Sequence, residues 1–135
     1  MQKAFHHQAL NLTTDRCLVY TAISKYYFFY RMFISKYVLE QHKVPLNPYM
    51  IWDYFLLDTV DRDLVREANN NLIKRADELW IFGPVSDGIL AEVKIAKQMN
   101  KAIRYFKIQK PHDMIPIEKE DVEMEEDVEE YKEEL

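Results

Sequence analysis

Glycine is scarce in this chain: there are two in 135 residues, Gly83 and Gly88, where average usage would give roughly nine. Neither a P-loop nor a G-x-G-x-x-G dinucleotide fingerprint can be spelled with that pair, so no nucleotide cofactor of those classes is expected. The single cysteine, Cys17, excludes an intramolecular disulfide and any multi-cysteine zinc site. The four histidines, His6, His7, His42 and His112, stand at no metal-ligand spacing, and no metal is expected. Long apolar runs are missing too. The longest candidate, Tyr26–Ile34, is broken by Arg31 and falls well short of the ~20 residues of a membrane span. The N-terminus has no apolar h-region. The expectation is a cytoplasmic protein without a membrane partner.

Length bounds the chain to one domain with room for a tail. Apolar residues make up 48% and charged residues 30%, the balance of a soluble globular protein. Charge is unevenly placed. Residues 118–135 carry 11 acids and two lysines, whereas residues 1–117 carry 16 basic against 12 acidic side chains. The body is mildly basic, which suits an anionic small ligand and is too dispersed for nucleic acid. The expected organisation is a flexible lead-in over 1–15, one domain over 16–117, and a solvated, disordered or transiently helical acidic tail over 118–135.

Within the body, strand and helix patterns alternate. Cys17–Ile23 is a short β-rich run read as a buried strand. From Lys25 to about His42 the period is helical, with Tyr30, Phe33, Ile34, Tyr37 and Val38 on one stripe. Val44–Tyr49 is extended, because each residue before a proline is pushed out of the helical region. Asp58 or Thr59 could cap a helix running to about Ala76. Glu78–Phe82 and Ala102–Ile108 read as strands. Between them, Ser86 or Asp87 could cap a helix to about Asn100 whose inner face is Ile89, Val93 and Ala96. This order predicts an α/β fold, a flavodoxin- or Rossmann-like three-layer sandwich on a four- to five-stranded, mostly parallel sheet. Ligands of such sheets bind outside the carboxyl ends of the strands. Both glycines lie in one such window, Gly83–Gly88, which leads straight into a helix N-terminus.

Glu92 stands in the second turn of that helix, near its inner face. A carboxylate there can serve as nucleophile or general acid/base, or simply as a helix glutamate stabilised by the dipole. The run Pro84-Val-Ser-Asp-Gly-Ile-Leu-Ala-Glu92-Val-Lys-Ile-Ala96 resembles the signature of the nucleoside 2-deoxyribosyltransferase family. Val19-Tyr20-Thr-Ala22 resembles that family's first strand, Val44–Pro48 its second, and Asn71–Trp80 its helix-to-strand junction. The resemblance covers roughly residues 17–108. It implies a nucleoside or nucleotide ligand, with Glu92 as a nucleophile attacking the anomeric carbon and Tyr20 orienting it. It further implies that Ser86, Asp87 and the Gly88 amide line the sugar or phosphate site. It also implies a homo-oligomer, since sites in that family are commonly completed by a neighbouring subunit. Asn69 stands where the transferases carry an acid that contacts the base, and Lys94 where they usually have glycine. Asparagine can hydrogen-bond a base but cannot shuttle a proton.

Other candidates follow from position. Trp52 and Tyr54 come after the second strand, where a base-stacking lid would sit. The aromatic run Tyr26–Tyr30 could stack a base or pack a helix. Arg62 and Arg66 share a helix face and could hold a phosphate or be solvated. Two functions are therefore expected to compete: transfer or hydrolysis at an N-glycosidic bond, and a non-catalytic nucleotide-binding or regulatory module on the same fold.

Overall fold

The computed structural model describes residues 3–52 and 59–135. Five strands form one sheet: β1 (Leu18–Ile23), β2 (Val44–Leu46), β3 (Glu78–Phe82), β4 (Ala102–Gln109) and β5 (Asp113–Ile117), in the order β2-β1-β3-β4-β5. The first four are mutually parallel and β5 is antiparallel to β4. Among the described residues the α-helices are α1 (Arg31–Glu40), α2 (Pro48–Ile51), α3 (Arg62–Arg75) and α4 (Asp87–Gln98). The expected α/β sandwich, with its mostly parallel sheet, is present. No described helix is long and apolar enough to cross a membrane.

Strand parity divides the core. In β1, Tyr20 and Ala22 point to the layer of α3 and α4, while Val19 and Ile23 point to the layer of α1. In β3, Leu79 and Ile81 join the first layer, and Trp80 and Phe82 the second. Both faces are covered, so these strands read as continuous apolar runs rather than alternating ones. On the α1 side the filling is aromatic. Phe82 stacks on Phe106 at 4.7 Å between ring centroids, Trp80 lies 4.9 Å from Phe106, and Tyr37 meets all three edge-on or tilted. On the other side Ile89, Val93 and Ala96 of α4 are buried as their spacing predicted. At about 1.5–3 kcal/mol for a fully buried large apolar side chain, this face fixes how α4 sits on the sheet.

Several elements differ from expectation. Lys25–Tyr30 is a 3₁₀ segment, and α1 begins only at Arg31. Of the anticipated stripe, Ile34 and Val38 are buried whereas Phe33 is exposed. Strand β2 stops at Leu46. Asn47 then caps α2 through its side chain, with Pro48 in the first turn, where a missing N–H costs nothing. Asp61, not Thr59, caps α3; the other proposed cap, Asp58, and Tyr54 lie outside the described residues. Strand β5 was not foreseen. Pro116 within it is tolerated because β5 is an edge. The lead-in over residues 3–15 is exposed, with one 3₁₀ turn at Gln8–Asn11.

The acidic tail is not a solvated appendage. Residues 122–135 run back over the sheet as a strap. Val85 donates to the Glu123 carbonyl at 2.9 Å and accepts from the Glu125 amide at 2.8 Å, a parallel bridge around Met124. Val122, Val128 and Leu135 are buried in the α3/α4 layer of the core. Lys94 pairs with Glu134, and Lys97 Nζ donates to the Glu134 carbonyl at 3.1 Å. The physical reason is that a few apolar side chains at suitable spacing outweigh the solvation of the carboxylates, most of which remain exposed. The folded unit therefore extends to Leu135 rather than ending at residue 117.

Candidate functional site

The chain leaves β1 towards β2 on one side and returns across the sheet to β3 on the other. The switch point of the sheet lies between β1 and β3, where doubly wound folds open a crevice. A cleft of about 630 Å³ occupies that place, within the usual range for small-molecule sites. Its walls come from the end of β1 and the segment after it, from α3, from the first turns of α4, and from the strap.

Tyr20 and Glu92 meet at this cleft. Parity turns Tyr20 toward α4, and the second turn of α4 carries Glu92 down to it, so that the Tyr20 hydroxyl donates to Glu92 Oε2. The residues are 72 positions apart and the pairing is the one expected from sequence. Burial pushes the Glu92 carboxyl up to about 7, and the hydrogen bond from Tyr20 opposes that rise. Burial first, and then the neighbouring Glu92 charge, hold the Tyr20 hydroxyl well above its ordinary range. Tyr20 is therefore a fixed donor at neutral pH. Glu92 exchanges its proton near neutrality, which suits it to nucleophilic or acid/base work.

Ser86, Asp87 and Gly88 also line the cleft. Ser86 caps α4 by accepting from the Ile89 amide at 3.3 Å, and Asp87 Oδ1 accepts from the Gly88 amide at 2.7 Å. Two of the amides at this helix start thus already have partners within the chain. The two glycines serve different ends. Gly83 has φ +79°, and a Cβ there would lie 3.3 Å from Ile108 Cδ1. Gly88 has no such requirement; a Cβ on it would meet nothing within 4 Å. Its smallness leaves room in the cleft.

Asn69 is in the cleft, but Trp52 is not among the residues lining it. The Trp52 indole N–H donates to Asn69 Oδ1 at 2.8 Å, so Trp52 orients Asn69 and leaves its Nδ2 as the donor a ligand can meet. From the aromatic run, Tyr26 reaches the cleft wall. Arg62 and Arg66 lie along it as well, with Arg66 paired to Asp63 at 2.9 Å on the surface. The lining residues that sequence reasoning missed include Lys25, Asn70, Glu125 and Asp127. The first two follow a strand end and a helix face already in view. The acids became visible only once the strap was seen to pack. Among the described residues, no group of three or more His, Cys, Asp or Glu side chains could hold a metal ion.

No curated protein matches the chain. A family profile does match, over residues 21–106, from the middle of β1 to the middle of β4 and including α4 with Glu92. That stretch is more than half of the chain and holds most of the cleft, and by it the chain belongs to the family described as Domain of unknown function (DUF7768).

Proposed function

We propose that the cleft binds a nucleoside or nucleotide and that Glu92 acts on its N-glycosidic bond. The observation that carries this reading is the Tyr20–Glu92 hydrogen bond at the switch-point cleft. In the proposed reaction the ionised Glu92 carboxylate attacks the anomeric carbon. The bond from that carbon to the base nitrogen breaks, and the base leaves with the electron pair and takes a proton from water. Tyr20 stays protonated and holds the other carboxylate oxygen in place. Water, or a second base, then attacks the glycosyl ester and frees Glu92, so that two inversions give net retention. Asn69 contributes a hydrogen bond to the ligand but no proton.

One observation favours the alternative, a binding module without turnover. The Asn69 oxygen is already engaged by Trp52, and asparagine offers no acid for the departing base. Incubating the chain with a panel of nucleosides and 5′-monophosphates, with and without an acceptor base, separates the two by chromatography. Wild type should release free base, or exchange it, and Glu92→Gln should lose several orders of magnitude in rate while retaining affinity. Equal cleavage by both would reduce Glu92 to a helix residue. Binding without cleavage by either would leave the module reading.

A further inference from the structure

The proposed reaction leaves the cations of the cleft unused. On α3, Arg62, Val65, Arg66 and Asn69 follow one another at i, i+3, i+4 and i+7 and all line the cleft, whereas the neighbouring acids Asp61, Asp63 and Glu67 do not. Lys25, just past β1, lines it as well. Arg62 has no acidic partner among the described residues. Arg66 pairs with Asp63 on the exposed surface, a kind of ion pair that contributes little and yields to a better anion. Because α3 returns the chain to the start of β3, its first turns lie at the carboxyl edge of the sheet, over the mouth of the cleft. At a rise of about 1.5 Å per residue, Arg66 and Arg62 stand about 4.5 and 10.5 Å beyond Asn69 toward that mouth.

The start of α4 offers an anion the opposite. Ser86 and Asp87 already accept from the Ile89 and Gly88 amides, and the Asp87 carboxylate repels a phosphate. Ionised Glu92 follows in the next turn. Stereochemistry points the same way. A β-nucleoside carries its base and its C5′ on one face of the sugar ring, and a nucleophile that displaces the base attacks the other face. With Glu92 of α4 as that nucleophile, base and 5′ substituent both project away from α4, and α3 is the helix wall that receives them. We infer that the ligand of the cleft is a nucleoside 5′-monophosphate whose phosphate is held at the mouth by Arg62, Arg66 and Lys25. The inference rests on the proposed reading of Glu92 and the ligand class, and it leaves the Ser86–Gly88 window to the sugar.

The test compares ligands with and without the phosphate. Affinities are measured by calorimetry in the Glu92→Gln chain, which binds without consuming ligand. Adenosine and thymidine 5′-monophosphates should bind roughly 10- to 100-fold tighter than adenosine and thymidine, as expected for hydrogen bonds between charged groups. Adding Arg62→Gln and Arg66→Gln should remove most of that advantage and leave nucleoside affinity unchanged. Both arginines are exposed, so the melting temperature should hold. The control is Arg75→Gln, an arginine of the same helix that bonds Asn71 and does not line the cleft. A monophosphate no tighter than its nucleoside would overturn the inference alone, as would an advantage that survives the double substitution or falls equally in Arg75→Gln. Inorganic phosphate binding as tightly as the monophosphates would overturn it too, reducing the cations to a general anion site. If neither nucleosides nor monophosphates bind, in this chain or in wild type, the inference falls together with the ligand class.

Discussion

Burial holds the Glu92 carboxyl at about 7, so folding and protonation are coupled at one side chain. Folded Glu92 keeps its proton up to about pH 7, whereas in the unfolded chain it releases it near 4.5. Between those values the folded state binds the extra proton. The stability contributed is therefore full below about pH 4.5 and is lost as pH rises through about 7. The loss is at most about 3 kcal/mol, reduced because the carboxyl is partly open to the cleft. Glu92→Gln should remove it, so the variant should melt higher than wild type at pH 8 and show little advantage at pH 5; thermal scans at the two values check this. The same carboxyl sets the rate profile. A nucleophilic Glu92 gives turnover that rises with pH through about 7 and then levels, whereas a Glu92 acting as general acid gives the reverse.

The glycines make a second pair of opposites. Gly83→Ala should cost about 1–2 kcal/mol, because an L-residue is strained at its φ and the new Cβ crowds Ile108. Gly88→Ala should leave stability unchanged or raise it by up to about 1 kcal/mol, since alanine favours a helix. It should nonetheless weaken ligand binding by filling space in the cleft. Urea unfolding and calorimetry on the two variants would show the effects separating. Both positions were conspicuous in the sequence, but which glycine served backbone and which served space was not. That division depends on Ile108, from a different strand, lying beside Gly83.

At the scale of elements, α4 was the most legible. A cap, a buried face of Ile89, Val93 and Ala96, and an inward Glu92 can all be read from spacing. The strap was the least legible, for a physical reason. Eleven carboxylates between residues 118 and 135 dominate any compositional reading, while the signal lay in Val122, Val128 and Leu135, spaced among them. Similarly, β5 was concealed by a proline that only an edge strand accepts. Deleting residues 122–135 should therefore destabilise the body by several kcal/mol, from three buried apolar side chains at about 1.5–3 kcal/mol for a large one. Against a typical total of about 5–15 kcal/mol, that is a large fall in melting temperature or outright loss of folding. A truncated chain that melts with the full one would show the strap to be dispensable.

Across the whole molecule, the sheet order places the cleft and the strap completes it. Its walls come from segments far apart in sequence: the end of β1, α3, the start of α4, and residues 125 and 127. The family match over 21–106 includes most of these segments but not the strap. The pairing of Tyr20 with Glu92 was legible through the family resemblance, and it needs both the parity of β1 and the packing of α4 on that face of the sheet. The side from which the strap approaches is set by the pairing of Val85 with Met124, which no local pattern announces.

The two tryptophans lie in opposite settings. Trp80 is sealed among aromatic rings on the α1 side of the sheet, and Trp52 is hydrogen-bonded to a residue of the cleft wall. Anything that draws Asn69 toward a ligand perturbs the indole behind it. A Trp80→Phe chain would therefore carry a single tryptophan, excited apart from the nine tyrosines, whose emission follows occupancy of the cleft. Candidate ligands could then be titrated optically, without turnover and before any of them is known to be a substrate.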